Sequence, residues 1–240
     1  MLLPAGGCSP ARQETLVGAA ISLREPLLDL ADTFAIRNPG RSIRFEFAAS
    51  GVLIGQAAEG APFDLIALAG AEEMDRLEAE GLLMPGTRLD LASNRLAVGI
   101  PGDGPYPSSL SDLGTDAYTR IGIGSPGTVP VGRYARQALE RAGLWPALAP
   151  RLIYADSARQ VAQLVVRGEV DAGFLYRSDA GRSPEIRIAF EIDAALHAPI
   201  RYPAAILRSA HDPEGAAAFL DLMRGTLGEV ILRRYGFGPP

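Results

Sequence analysis

Two serines stand out by where they fall. Ser22 follows an apolar run at 16–20, Ser50 follows an alternating stretch at 43–47, and each opens a segment with apolar residues at helical spacing. A hydroxyl at such a strand-to-helix turn can cap the helix, or it can offer its proton to a ligand beside the unpaired amides of the first turn. Three more positions join them. Val131 and Ala158 place backbone N–H groups at the starts of expected helices, and Tyr176 puts a phenol at the end of a short apolar strand. All five are neutral donors. Helix starts at the carboxyl ends of strands bind anions through amides and the positive end of the helix dipole, without a charged side chain. Most serines at helix starts only cap the helix, so position alone supports a ligand role weakly.

The charged residues nearby read less specifically. Arg133 lies beside the Val131 amide, where it either attracts anions or is a solvated residue of a helix face. Arg24, Arg133, Arg159 and Arg177 keep open a receptor for an organic acid, which would want a guanidinium in its cleft. Asp64 and Asp179 at strand ends suggest capping or hinge hydrogen bonds more than a catalytic carboxylate pair. His197 and His211 read as incidental, and Gly122-Ile-Gly124 is too sparse for a dinucleotide fingerprint.

Composition removes whole classes. The chain of 240 residues carries 28 acidic and 23 basic side chains, a net charge of −5, and every basic one is Arg. Without Lys it has no P-loop lysine. A mildly acidic chain with no basic run does not suit nucleic acid. One Cys and two His exclude an internal disulfide, an iron–sulfur cluster and a His-rich metal site. No nucleophile–base pair is evident, so the chain reads as a non-enzyme that needs no cofactor.

The elements that must position these donors alternate strand and helix, which predicts α/β architecture with mainly parallel sheets. Strands are expected at 16–20, 43–47, 64–69, 94–101, 121–124, 151–154, 172–176, 186–190 and 200–207. Ser22-Leu-Arg-Glu25 has the form of a capping box for the first helix. Further helices are expected from Ser50, over 72–80, over 131–142, through Val161 and Val165, and from Asp212 to Tyr235. The Gly/Pro/Ser-rich segment 102–109 is the clearest composition shift and the first candidate for a crossing between lobes. Two crossings imply a first lobe of 15–96 with 201–240 and a second lobe of 97–200, after a tail at 1–14. No apolar run approaches the ~20 residues that span a bilayer. Within the tail, a short apolar stretch and small residues precede Cys8. This is either the remnant of a lipoprotein signal with Cys8 as anchor, or a tail with an incidental Cys.

An ordered set of motifs is more specific. Gly18-Ala-Ala-Ile-Ser-Leu23, Phe47-Ala-Ala-Ser50, Gly60-Ala-Pro-Phe-Asp-Leu65, Pro130-Val-Gly-Arg-Tyr-Ala135, Gly173-Phe-Leu-Tyr-Arg-Ser-Asp-Ala180 and Arg234-Tyr-Gly-Phe237 follow one another along the chain. Together they resemble the molybdate-binding periplasmic proteins of molybdate ABC transporters, from about Leu16 to Phe237. The resemblance implies a two-lobed type II periplasmic-binding fold, with molybdate or tungstate in the interlobe cleft. By that likeness the hydroxyl ligands fall on Ser22 and Ser50, the amides on Val131 and Ala158, and the phenol on Tyr176. It further implies an extracytoplasmic monomer that delivers the oxyanion to a membrane permease. Ile21 and Val131 stand where smaller residues are usual, which bears on selectivity more than on binding. The alternative is a receptor of the same fold for another small anion, sulfate-like or an organic acid.

Overall fold

The computed structural model describes residues 13–180 and 183–240. The anchor role considered for Cys8 therefore lies outside the described residues. In chain order the first elements are β1 (Gln13–Ala20), a 3-10 turn at Ile21–Leu23, α1 (Arg24–Arg37), β2 (Arg41–Ala48), α2 (Ser50–Ala58), β3 (Leu65–Ala67), α3 (Ala71–Ala79) and β4 (Leu89–Ser93). Next come β5 (Leu96–Pro101), β6 (Ile121–Gly124), α4 (Pro130–Arg141), a short α5 (Trp145–Leu148) and β7 (Leu152–Ala155). They are followed by α6 (Ala158–Val166), β8 (Ala172–Tyr176), α7 (Arg177–Ala180) and β9 (Ile186–Glu191). The chain then closes with β10 (Arg201–Ile206), α8 (Pro213–Arg224) and α9 (Thr226–Arg234).

These strands form two five-stranded sheets of matching topology, β2-β1-β3-β10-β4 and β7-β6-β8-β5-β9. In each, the first three strands run parallel and the remaining two pairings are antiparallel. The result is a two-lobed α/β fold. The strands read as nearly continuous apolar runs because helices cover both faces of a parallel core. In β1 everything from Thr15 to Ala20 is buried, and β6 and β8 are buried throughout. Each fully buried Leu, Ile or Phe side chain contributes about 1.5–3 kcal/mol by leaving water. In the first lobe Leu27, Leu30 and Phe34 do this along one stripe of α1, with Leu23 just ahead of it.

Three features differ from the sequence expectation. The chain passes between sheets between Ser93 and Leu96, ahead of the Gly/Pro-rich segment 102–109, because β5 already pairs with β8 and β9. Flexible composition there marks a surface loop of the second lobe. The strand β4, Leu-Asp-Leu-Ala-Ser, is not among the strands expected from the sequence, being too short to show a clear period. Finally, Ser22 is not the cap of a capping box. The residue before α1 is Leu23, with no side-chain cap, and Ser22 sits inside the preceding 3-10 turn. The tighter turn carries its hydroxyl inward, where the residue is 3% exposed.

Candidate functional site

The sheets point the carboxyl ends of their parallel strands at each other, and the donors sit at those ends. Ser50 is the first residue of α2, after extended Ala49 (φ −65°, ψ 144°), and is buried. Its Oγ accepts the Ala69 backbone N–H at 3.0 Å, which leaves its own proton for the cleft. Across the cleft, the Tyr176 hydroxyl reaches the Ala69 carbonyl at 3.4 Å. Ala69, two residues past β3, thus touches both walls.

Ser22 lies in the middle of the strand-to-helix turn after β1 and meets the phenol of Tyr202. That phenol also accepts the Asn94 Nδ2 proton at 3.3 Å, and Asn94 Nδ2 donates to Ser178 Oγ at 2.8 Å. Asn94 lies in the crossing between the sheets, so the Ser22 side of the cleft is tied to the hinge. Tyr176 and Tyr202 stack edge to face, ring centroids 5.9 Å apart. Burial pushes both phenols well above their ordinary pKa. For Tyr202 the Ser22 and Asn94 hydrogen bonds oppose this without reversing it. Both remain neutral hydroxyls at physiological pH.

The second lobe contributes backbone. Pro130 occupies the first position of α4 and has no N–H, so the first amide that the helix presents belongs to Val131. Gly132 lets this turn lie directly on β6, since a Cβ there would overlap the Gly124 carbonyl oxygen. Ala158 opens α6. Ser157 Oγ accepts the Gln160 N–H at 3.1 Å, and Gln160 Oε1 returns to the Asp156 N–H at 2.8 Å. Side chains thus satisfy the flanking amides, and the Ala158 N–H remains for the cleft.

The structure brings all five candidates to one cavity of about 10 Å³, lined by Ser22, Ser50, Val131, Ala158 and Tyr176 with small or apolar neighbours such as Ala20, Ala49, Ala69 and Pro130. None of these lining residues carries an ionised side chain at neutral pH. The volume is near the lower limit for one water molecule. A tetrahedral oxyanion needs more, so binding must part the walls, which belong to opposite lobes.

The arginines are engaged elsewhere. Arg133, read from sequence as an anion attractor or a solvated residue, is neither: it forms a bidentate pair with Glu73 at 2.6 and 2.8 Å. Arg159 pairs with Glu25 at 3.2 Å, Arg177 with Glu191 at 3.2 Å, and Arg24 lies over the Phe47 ring. Asp64 is structural, accepting the backbone N–H groups of Leu16, His211 and Asp212. His197 is a packing residue, buried 5.8 Å from the Tyr134 ring. Sequence reasoning missed Ala69, Tyr202 and Glu73. Ala69 acts through its backbone, while Tyr202 and Glu73 depend on elements far away in the chain. No local pattern announces either kind.

Two lobes of matching topology around a small interlobe cavity define a solute-binding protein. The chain belongs to the family described as bacterial extracellular solute-binding protein, which it matches over residues 15–238. It is 31% identical over 242 residues to the molybdate-binding protein ModA of Escherichia coli (strain K12), covering 97% of this chain and 92% of that protein. It is also 28% identical over 240 residues to the putative ABC transporter substrate-binding lipoprotein YvgL of Bacillus subtilis (strain 168), covering 96% and 92%. Among solved structures, the periplasmic molybdate-binding protein of Azotobacter vinelandii superposes with a TM-score of 0.86 at 24% identity, over 94% of this chain and 99% of that one. The chain is a receptor of the ABC-transporter kind rather than an enzyme.

Proposed function

We propose that this receptor captures molybdate or tungstate and hands it to the membrane permease of an ABC importer. The observation that carries the reading is the convergence of two hydroxyls, two helix-start amides and a phenol on one cavity with no ionised lining residue. The five come from positions spread over more than 150 residues of chain. A dianion supplies acceptors only, and this shell supplies donors. Neutral donors suit a ligand that must leave again, because no buried guanidinium is stranded in the empty cleft. Each donor to a charged acceptor contributes about 1.5–3 kcal/mol net, so several together support sub-micromolar affinity after the cost of closing. Molybdate and tungstate are nearly equal in size, and a shell of fixed radius accepts both while holding smaller sulfate loosely.

The relatives named for molybdate binding support this ligand, and the one named a lipoprotein supports an extracytoplasmic receptor anchored through Cys8. Calorimetry with molybdate, tungstate, sulfate and phosphate tests the reading. Molybdate and tungstate are expected to bind well below ~10 µM, the range of receptor affinities, and sulfate far more weakly. No binding of the first two at that concentration ends it. Mass spectrometry of the native protein tests the anchor, which an unlipidated Cys8 would exclude.

A further inference from the structure

We infer that Glu73 and Arg133 form a latch across the cleft that fixes the spacing of its two walls, and so sets how long an anion stays and how well its size is judged. This rests on the anion-receptor reading for its selectivity part, while the latch itself is a property of the lobes.

The pair joins α3 of the first lobe to α4 of the second. Arg133 Nη1 donates to Glu73 Oε1 at 2.6 Å and Nη2 to Oε2 at 2.8 Å, and the Glu72 carboxylate lies 3.2 Å from Arg133 Nε. The side chains are 6% and 19% exposed, so this is no solvated surface pair. Its position ties it to the site. Glu73 follows the turn of Ala69, which holds Ser50 and meets Tyr176, and Arg133 lies in the first turn of α4 with the Val131 amide. A second contact bridges the same lobes: the Gly51 N–H donates to the Thr128 carbonyl at 3.2 Å.

A largely buried ion pair gives little net stabilisation, because desolvation offsets attraction. What a planar fork on a carboxylate does give is geometry, two parallel hydrogen bonds that fix distance and orientation together. Here they hold the Ala69 edge and the Val131 turn at one separation. The pair also consumes the Arg133 charge, which lies too near the site to be left uncompensated in a shell of neutral donors.

The test uses the full chain with Glu73→Gln, which keeps shape, and Arg133→Lys, which keeps charge but loses the fork. Hydrogen exchange at the Gly51 amide reads closure directly, without ligand and with molybdate. Stopped-flow reads molybdate release, and calorimetry reads the ratio of molybdate to sulfate affinity. Both variants are expected to lower Gly51 protection, to speed molybdate release about 10-fold or more with association within about twofold, and to reduce the ratio. Combining both substitutions should cost no more than the larger single effect, because either one removes the fork. Gly51 protection that is absent in the ligand-free wild type, or equal in wild type and Glu73→Gln, overturns the latch. Unchanged release and ratio in both variants overturn it as well. If wild-type protein binds no molybdate, the ligand reading falls, and the ligand-free exchange experiment still decides the latch.

Discussion

The two walls of the cleft are built from different material. The first lobe presents side-chain hydroxyls, Ser22 from a 3-10 turn and Ser50 from the start of α2. The second presents backbone amides at the starts of α4 and α6, with one phenol at the end of β8. A hydroxyl wall is specified by residue identity. An amide wall is specified by where the backbone can go, and so by the glycines and caps that let it go there. The cleft is therefore fragile to different substitutions on its two sides.

The largest break is expected on the backbone side. Gly132→Ala drives a methyl group into the Gly124 carbonyl and lifts the first turn of α4 off β6. Such overpacking costs about 3 kcal/mol of stability, to be read by urea unfolding, and anion affinity should fall with it. On the hydroxyl side, Ser50→Ala should weaken molybdate binding by about 1–3 kcal/mol. It should exceed Ser22→Ala, because it also strands the buried Ala69 N–H; calorimetry on both variants checks the order. Smaller still is Tyr176→Phe, at under about 1 kcal/mol, if the phenol chiefly seals the cleft against the Ala69 carbonyl. Val131→Ala should be silent within about twofold, since the amide remains.

The dependence on pH falls on stability in alkali and leaves ligand affinity untouched near neutrality. Burial, chiefly, raises the Tyr134 phenol to about 12. Below about pH 10, the ordinary tyrosine value, folded and unfolded chains both keep the proton and stability is full. Above it only the unfolded chain ionises, so stability declines through about 12, as alkaline unfolding monitored by circular dichroism will show. Molybdate affinity itself should stay flat between about pH 6 and 9, because Tyr176 titrates far above that range.

Legibility in the sequence followed the same division. Helix starts at Ser50 and Ala158, and the strands β6 and β8, were readable because local spacing and caps encode them. Four of the five candidate positions could be named from turns that precede helices and Tyr176 from the end of a strand, and the ordered motifs point to the same five. The capping box at Ser22 misled because a 3-10 turn and an α-helix share their first residues as a pattern, and only packing decides which forms. The Glu73–Arg133 pair joins helices 60 residues apart, and no periodicity within either helix specifies its partner. What the chain encodes locally is the donor; what it encodes through tertiary packing is the spacing between donors.

The strand order carries a further consequence for how the molecule is made. All five strands of the second sheet lie within residues 96–191, so that lobe can be completed as a contiguous stretch of chain. In the first sheet β10 sits between β3 and β4, which cannot be bridged until residues 201–206 emerge. Synthesis from the N-terminus therefore leaves the earlier-made lobe waiting with a gap in its sheet, while the later-made lobe folds first. The hydroxyl wall, though encoded at the beginning of the chain, is the last part of the receptor to become rigid.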